Sequence, residues 1–274
     1  MIPQQMRILT IAQNVPGPVA VARLWAEGAT ILKVEPPQGD PLERLSRSWY
    51  DELHSGVRIE RLDLKSTGGA SALRSRLTTT DVFVASHRPG ALARLGLDAD
   101  SLRRDFPALR HLNIVGEVAH PDDPGHDLTY QARAGLLQGG LPATLLADMI
   151  GAEHAYTAVR ELMLDAPGSR RVVGLMDGLA AFAAPVRHGL TTPGGPLGGG
   201  DPAYAVYPTR EGLVAVAALE KHFRARLYEA LGLPDGSDLS TSMRIRTAVE
   251  WEAWGTEQDI PIAAVWSCSS TEPE

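Results

Sequence analysis

The chain has 274 residues, of which 44% are hydrophobic and 22% charged, and its formal net charge is −7 at pH 7. That composition is typical of a soluble globular protein with room for one large domain, or for a large and a small one. The negative charge argues against general binding to nucleic acids or to an anionic membrane. The single cysteine, Cys268, excludes an intrachain disulfide framework, fits a reducing cytoplasm and is expected to be an exposed thiol without a role.

The N-terminal part of the chain predicts a βαβ unit. Residues 7–12 are typical of a short buried strand, residues 19–26 of a helix and residues 30–35 of a second strand. Such a unit favours a parallel α/β sheet. The first turn lacks the G-x-G-x-x-G pattern that a dinucleotide pyrophosphate needs, so a nicotinamide cofactor is disfavoured. We expect no signal peptide and no membrane span, because polar residues interrupt each apolar run.

The same alternation of strands and helices continues through the first half of the chain, so we expect a doubly wound large domain. Residues 38–57 are polar and predict irregular structure. The further predicted strands are 58–64, 81–86 and 111–116, and the further predicted helices are one ending at Leu77, one carrying Arg94, one following His126 and one over 145–164.

Residues 191–203, rich in glycine and proline, predict a linker between two domains. After it, residues 204–207 and 213–217 are typical of a hairpin, 220–231 and 247–258 of helices, and 261–265 of a strand. The predicted domains are a large α/β domain over 1–190, the linker 191–203, a small α+β domain over 204–266 and a tail over 267–274.

The pair His126–Asp127 follows a loop rich in proline and aspartate and precedes an apolar helical run. An imidazole at such a helix start is a candidate acid–base group, because its proton equilibrium lies near neutral pH. Alternatively, Asp127 caps backbone N–H groups and His126 merely packs beside it.

Several common catalytic motifs are absent from the sequence. It has no P-loop, no H-E-x-x-H, no C-x-x-C and no G-x-S-x-G, and its eight histidines show no metal-ligand spacing. We therefore predict no metal site.

In this order and spacing, a set of short segments resembles the family III CoA-transferase superfamily (CaiB/BaiF-like), and within it the α-methylacyl-CoA racemase branch. The resemblance runs from about residue 7 to residue 266. The segments are Pro16-Gly17-Pro18, Ile31-Leu32-Lys33-Val34-Glu35, Leu62-Asp63-Leu64-Lys65-Ser66, Arg88-Pro89-Gly90, Arg94-Leu95-Gly96, Gly125-His126-Asp127, Leu145-Leu146-Ala147-Asp148, Gly198-Gly199-Gly200 and Ala218-Leu219-Glu220.

The resemblance implies a Rossmann-like large domain, a smaller second domain and a homodimer of two interlocked subunits. It implies coenzyme A as part of an acyl-CoA substrate and no separate cofactor. In transferases of the superfamily, the aspartate matching Asp148 attacks a thioester and forms an acyl-CoA anhydride. The racemases carry histidine at the position of His126, so this residue favours racemase-like chemistry.

Inverting a stereocentre beside a thioester requires one group that accepts the α-proton and another that returns a proton to the opposite face. The resemblance implies His126 paired with Glu220 on one face and Asp148 paired with Asp127 on the other. Two close carboxyl groups raise one pKa, so that a proton is retained. Backbone N–H groups at 148–151 are candidate donors to the enolate. Alternatively, Asp148 is a helix N-cap and Glu220 a first-turn carboxylate.

Basic residues at strand ends and helix starts are the expected contacts of the CoA phosphates. The candidates are Lys33, Lys65, Arg88 and Arg94, and each is alternatively a solvated surface charge. Gly198, Gly199 and Gly200 predict either a mobile lid over the site or a plain linker.

Three functions remain open from the sequence. The first is a racemase or epimerase of a branched acyl-CoA, favoured by His126. The second is a CoA transferase that uses Asp148. The third is a catalytically silent binding or scaffold protein, favoured by departures from the family pattern. These departures are a chain expected to be shortened at its C-terminus, Pro36 in place of a CoA-contacting arginine, and an altered segment at 117–123.

Overall fold

The computed structural model describes residues 6–137 and 140–266 and divides the chain into two units, one ending at Ala183 and the other beginning at Ala184. This division precedes the predicted boundary at residue 190. The predicted linker 191–203 therefore lies inside the second unit rather than between the two. The predicted tail at 267–274, with Cys268, lies outside the described residues.

Six short strands of the first unit form one parallel sheet with the order β3-β2-β1-β4-β5-β6. Ile8 on β1 lies opposite Ile31 on β2 and Val82 on β4. The predicted parallel α/β sheet is thus confirmed. The last strand is not evident from the sequence, because the apolar run at 170–190 joins it to the next helix without turn residues. The strands are β1 (Arg7–Thr10), β2 (Thr30–Glu35), β3 (Arg58–Arg61), β4 (Val82–Ala85), β5 (Arg110–Val115) and β6 (Arg170–Gly174).

Helices connect these strands, as the alternating pattern predicts. They are α1 (Pro16–Ala26), α2 (Pro41–Leu45), α3 (Arg47–Leu53), α4 (Thr67–Leu77), α5 (Pro89–Arg94), α6 (Ala99–Asp105), α7 (Asp127–Arg133), α8 (Leu146–Leu164) and α9 (Leu175–Phe182). Within the described ranges, no helix has the length and hydropathy needed to cross a membrane.

Two of these helices contradict the prediction of irregular structure over 38–57. Asp40 precedes α2, and its side chain accepts a hydrogen bond from the backbone N–H of Leu42 at 2.9 Å. Pro41 occupies the first helical position, where its missing N–H removes no helical hydrogen bond. An aspartate cap followed by proline starts a helix even in a polar segment.

The core of the first unit lies on both faces of the sheet, because successive strand residues point to opposite faces. Ile8, Val82 and Val84 pack in the cluster that contains α1 and α8, whereas Leu9 and Phe83 pack in the cluster that contains α4 and α6. Strands buried on both faces read as continuous apolar runs, which is the pattern that predicts them.

The second unit contains an antiparallel sheet with the order β7-β8-β9, and its hairpin follows the predicted segments closely. Tyr207 pairs with Val214, and Ala215 pairs with Ala263. Trp251 is 1% exposed at the centre of this unit and donates its indole N–H to the carbonyl of Met243 at 2.7 Å. The elements are α10 (Ala184–Arg187), β7 (Tyr204–Pro208), β8 (Leu213–Ala217), α11 (Lys221–Leu231), α12 (Ser240–Met243), α13 (Ala248–Glu257) and β9 (Ile262–Ala264).

Candidate active site

A cavity of about 210 Å³ lies at the carboxyl ends of β1, β4 and β5 in the first unit. Asn14 follows β1, Ser86 follows β4 and Gly116 follows β5, and all three line the cavity. The strand order reverses between β1 and β4, and a crevice outside the strand ends is expected at such a point. The predicted residues His126, Asp148 and Arg88 line the same cavity.

Asp127 joins the two helices beside the cavity. It is 4% exposed at the first position of α7. Its Oδ1 accepts the backbone N–H groups of Ala147 at 2.7 Å and Asp148 at 3.2 Å. Asp127 therefore caps a helix, as the alternative interpretation holds, but the helix is α8 and not its own. A carboxylate at this position also stabilises the positive end of the α8 dipole.

Asp148 is the third residue of α8 and is half-buried, and its carboxyl group makes no hydrogen bond to any described residue. Burial, followed by the nearby charge of Asp127, raises the pKa of Asp148 to about 7. Leu145, and not Asp148, is the N-cap residue of α8. The Asp148 carboxyl group thus keeps a proton up to nearly neutral pH and faces the cavity without a competing partner.

His126 is exposed at the N-cap position of α7. Its backbone N–H donates to Thr129 Oγ1 at 3.0 Å, and the Thr129 hydroxyl donates to the His126 carbonyl at 2.7 Å. These two bonds fix the backbone of His126 at the cavity edge. His126 and Thr129 form a capping box at the start of α7, and the His126 side chain lines the cavity.

The backbone N–H groups predicted at 148–151 as enolate donors are not available at the start of α8. Those of Ala147 and Asp148 are bonded to Asp127, and that of Met149 donates to the Leu145 carbonyl at 2.9 Å. The prediction is wrong at Asp148 because a carboxylate from another helix accepts its N–H, and at Met149 because the carbonyl of Leu145 does.

Tyr130 offers a different donor. Burial, and then the charge of Asp148, raise the pKa of Tyr130, so its hydroxyl keeps its proton at neutral pH. Its hydroxyl oxygen lies so close to Gly116 and Gly125 that a Cβ atom would be 2.1 Å and 2.4 Å away, respectively. The two glycines make room for a tyrosine that lines the cavity.

Lys33 does not lie where a CoA phosphate could reach it, which corrects the prediction. It is 0% exposed. Its Nζ lies 2.6 Å from Asp40 Oδ2, 3.1 Å from Glu35 Oε1 and 2.7 Å from His54 Nε2. A buried ammonium needs such partners, since an unpaired buried charge is very costly. Lys33 therefore holds β2 to the segments that follow it.

The partners of Lys33 are the one group with metal-ligand geometry in the described part of the chain. Ligand atoms of Glu35, Asp40 and His54 lie within 4.8 Å of one another. The Lys33 ammonium lies among them and supplies the positive charge that two carboxylates require. Burial, and then the Lys33 charge, lower the pKa of His54, so its imidazole is neutral at pH 7.

The other three predicted CoA contacts are exposed. Lys65 lies between β3 and α4, Arg88 precedes α5, and Arg94 ends α5. None of the three forms an ion pair with a described residue, in contrast to the many arginines that do. All three follow the carboxyl ends of strands β3 and β4, on the edge of the sheet that carries the cavity.

The remaining predicted site residues belong to the second unit. Glu220 is exposed at the N-cap position of α11, and its side chain caps no N–H group there. A Cβ on Gly198 would lie 1.8 Å from the carbonyl oxygen of Thr192, and one on Gly200 2.3 Å from that of Gly194. Gly199 has φ +88°, which favours glycine. Close backbone packing within 189–200 therefore explains the glycine run, whereas a lid function stays a prediction.

The structure adds Gln131 and Tyr130 to the candidate residues. Gln131 is 2% exposed, and its Nε2 donates to Asp127 Oδ2 at 2.6 Å. Four positions separate Asp127 and Gln131 on one helix, and this spacing is the sequence signal that indicates their contact. Tyr130 has no such signal, because its neighbours Gly116 and Gly125 come from loops.

A sequence profile of CoA-transferase family III matches residues 4–271. The chain belongs to CoA-transferase family III. The resemblance drawn from the motifs is thereby confirmed. The profile spans all the catalytic and CoA-contacting candidates, from Lys33 to Glu220.

Relatives of the chain include proteins named as CoA-transferases and proteins named as racemases. The chain is 27% identical over 263 residues to succinate–glutarate CoA-transferase of Agrobacterium fabrum (strain C58), with 83% of this chain and 66% of that protein covered. It is 28% identical over 277 residues to α-methylacyl-CoA racemase of Mus musculus, with 92% and 69% covered. The chain thus spans about two thirds of the length of these relatives.

A solved structure has the same fold. The crystal structure of a CAIB/BAIF family protein from Brucella suis superimposes with a TM-score of 0.80 at 16% identity, covering 97% of this chain and 84% of that one. At this identity the comparison shows the mixed α/β fold and carries no information on the reaction.

Proposed function

We propose that the chain racemises or epimerises a 2-methylacyl-CoA by moving the α-proton between His126 and Asp148. The observation that carries the proposal is that both side chains line one cavity and that the Asp148 carboxyl group is bonded to no described residue. The pKa of Asp148, about 7, makes its carboxyl group a proton donor at neutral pH rather than a permanent anion.

The reaction proceeds through an enolate and leaves the thioester intact. The neutral imidazole of His126 takes the α-proton, which breaks the C–H bond on one face and leaves its electron pair in the enolate. Asp148 then gives its proton to the α-carbon on the other face. The reverse direction begins with protonated His126 and ionised Asp148. The protonated hydroxyl of Tyr130 is the proposed donor to the enolate oxygen.

Two further roles stay predictions. Glu220 is proposed to orient and charge His126, although the two residues belong to different units. Lys65, Arg88 and Arg94 are proposed to bind the CoA phosphates, since they are exposed cations without ion pairs among the described residues. The reaction as written needs no group beyond these side chains and the CoA of the substrate.

The second candidate is transfer of CoA between carboxylic acids through an aspartyl anhydride at Asp148. It is favoured by the CoA-transferase named among the relatives. Such chemistry requires the ionised carboxylate as nucleophile. A transferase rate should therefore rise as pH increases through about 7, whereas racemisation should fall, because Asp148 loses the proton that it gives to the α-carbon.

The test uses a chiral 2-methylacyl-CoA in deuterated water. We expect exchange of the α-hydrogen and loss of optical purity while the thioester stays intact. Transfer of CoA to an added acid without exchange, together with an acyl-enzyme trapped by hydroxylamine, would instead establish the transferase. If neither reaction occurs but CoA binds, the chain is a binding or scaffold member of the family.

The assembly is also a proposal. The strand order β3-β2-β1-β4-β5-β6 supports our proposal that the first unit is a Rossmann-like domain. We also propose the interlocked homodimer that the resemblance implies. A well-folded monomer in sedimentation at micromolar concentration would contradict the dimer. Location in the cytoplasm stays a prediction from the single cysteine.

A further inference from the structure

Gln131 is a buried amide beside the candidate proton donor. It lies on α7 and is 2% exposed. Its Nε2 donates to Asp127 Oδ2 at 2.6 Å and to the carbonyl of Thr144 at 3.1 Å. Because Asp127 Oδ1 accepts two backbone N–H groups, the Asp127 carboxylate receives three hydrogen bonds and faces only donors.

This arrangement separates the two neighbouring carboxyl groups by their hydrogen bonding. A proton on Asp127 would replace an acceptor with a donor and disrupt at least one of the three bonds, since N–H groups cannot accept it. Asp148 accepts no hydrogen bond from a described residue, so a proton there disrupts nothing. Hydrogen bonds to an ionised group are about twice as strong as neutral ones.

We propose that Gln131 is a positioning residue: its hydrogen bond to Asp127 confines the proton shared by the two carboxyl groups to Asp148. The role of that proton in catalysis rests on the proposed function, whereas its location does not. The alternative is purely structural, with Gln131 only tying α7 to Thr144.

The two roles differ in what happens when the amide is replaced. Gln131→Met keeps a similar side-chain volume and removes the donor. The Asp127 anion is then less stable, so the proton divides between the two aspartates, and the ratio shifts toward Asp127 by on the order of tenfold. A ratio that changes from about 10:1 to about 1:1 gives the proton two sites of similar affinity, so the pH at which it leaves rises by about 0.3 units.

The direct experiment is ¹³C NMR of the full chain with labelled aspartate side-chain carboxyl carbons, titrated with pH. Asp148→Asn and Asp127→Asn assign the two signals. In the wild-type chain we expect the Asp148 signal to titrate near pH 7 while the Asp127 signal stays that of an ionised carboxylate. In Gln131→Met we expect both signals to titrate together at a higher pH. An Asp148 titration unchanged by Gln131→Met would overturn the proposal.

Gln131→Glu provides a second variant if the apolar side chain disrupts folding. The introduced carboxyl group donates to Asp127 only while it is protonated, so the wild-type pattern should return as pH falls. The absence of that pH-dependent return would contradict the proposal as well.

Exchange kinetics supply the readout that separates positioning from tethering. In Gln131→Met the exchange rate below pH 7 should fall about twofold, because only about half of the molecules then carry the proton on Asp148. At alkaline pH the rate should converge with the wild-type rate, because the affinity of Asp148 itself for the proton is unchanged. A tether alone would lower the rate by one factor at every pH, which would overturn the proposal. A wild-type chain that holds the proton on Asp148 yet shows no exchange would refute the proposed function while leaving the role of Gln131 intact.

Discussion

The carboxylate of Asp127 accepts the backbone N–H of Asp148 at 3.2 Å, while the carboxyl group of Asp148 itself accepts no hydrogen bond from the described residues. Asp127 is thus stabilised as an anion by hydrogen-bond donors, whereas the ionised form of Asp148 is disfavoured by burial and by the neighbouring negative charge of Asp127. Both causes act on Asp148 in the same direction, and they raise its pKa to about 7. The two residues are alike in chemistry, and the different roles proposed for them rest on their different hydrogen bonds.

The raised pKa of Asp148 predicts a change of stability with pH. A carboxyl group whose folded pKa is raised stabilises the protein below its unfolded value and loses that contribution as pH rises through the folded value. Asp148→Asn removes the titration, so the variant should become more stable than the wild-type chain between about pH 4 and pH 7, by on the order of 3 kcal/mol at the upper end. Urea unfolding across this range measures the difference. Asp100→Asn, at an exposed carboxylate on α6, should show no comparable trend.

The buried position of Lys33 predicts a loss of stability and not a specific loss of CoA binding. Lys33→Met leaves Glu35 and Asp40 buried without their cation, which should destabilise the fold by about 3–5 kcal/mol. The matched control is Lys65→Met at an exposed lysine, for which a change within about 0.5 kcal/mol is expected. Equal stabilities of the two variants in urea would contradict the buried ion cluster.

Gly116 is expected to be intolerant of a side chain because of Tyr130. Gly116→Ala places a Cβ 2.1 Å from the Tyr130 hydroxyl and should destabilise the protein by about 1–3 kcal/mol. Adding Tyr130→Phe removes the clashing oxygen, so the double variant should recover part of the loss in thermal unfolding. Gly68→Ala serves as control, since its Cβ would meet no atom within 4 Å. Additive losses in the double variant would refute this packing.

The exposed cations near the strand ends predict a salt-sensitive response to CoA. Free CoA should raise the melting temperature, because a ligand that binds only the folded state stabilises it. Arg88→Ala, Arg94→Ala and Lys65→Ala should each reduce the shift, most strongly at low salt. Arg103→Ala, on α6 near the opposite edge of the sheet, should not reduce it. If all four variants reduced the CoA-induced shift in melting temperature equally, the proposed phosphate contacts of Lys65, Arg88 and Arg94 would be contradicted.

The sequence predicts most of the sheet because its strands are continuous apolar runs, and residues 30–35 match β2 (Thr30–Glu35). It places His126 and Asp148 correctly at helix starts, since loop residues and helical periodicity are local signals. It fails at Lys33, whose burial depends on Asp40 and His54 arriving from later segments. Sequence reasoning also misses the backbone N–H groups of α8 that donate to Asp127, because residue spacing along one helix does not predict contacts between α7 and α8.

The claim that His126 and Asp148 are the two opposed proton carriers is tested most directly by α-hydrogen exchange of a chiral 2-methylacyl-CoA in deuterated water at pH 7. The rate should fall by on the order of 10² or more in His126→Ala and in Asp148→Asn, since each loses a general acid–base group. It should be unchanged in His120→Ala, an exposed histidine of the same loop. Exchange that survives His126→Ala at the wild-type rate, or transfer of CoA without any exchange, would contradict the account.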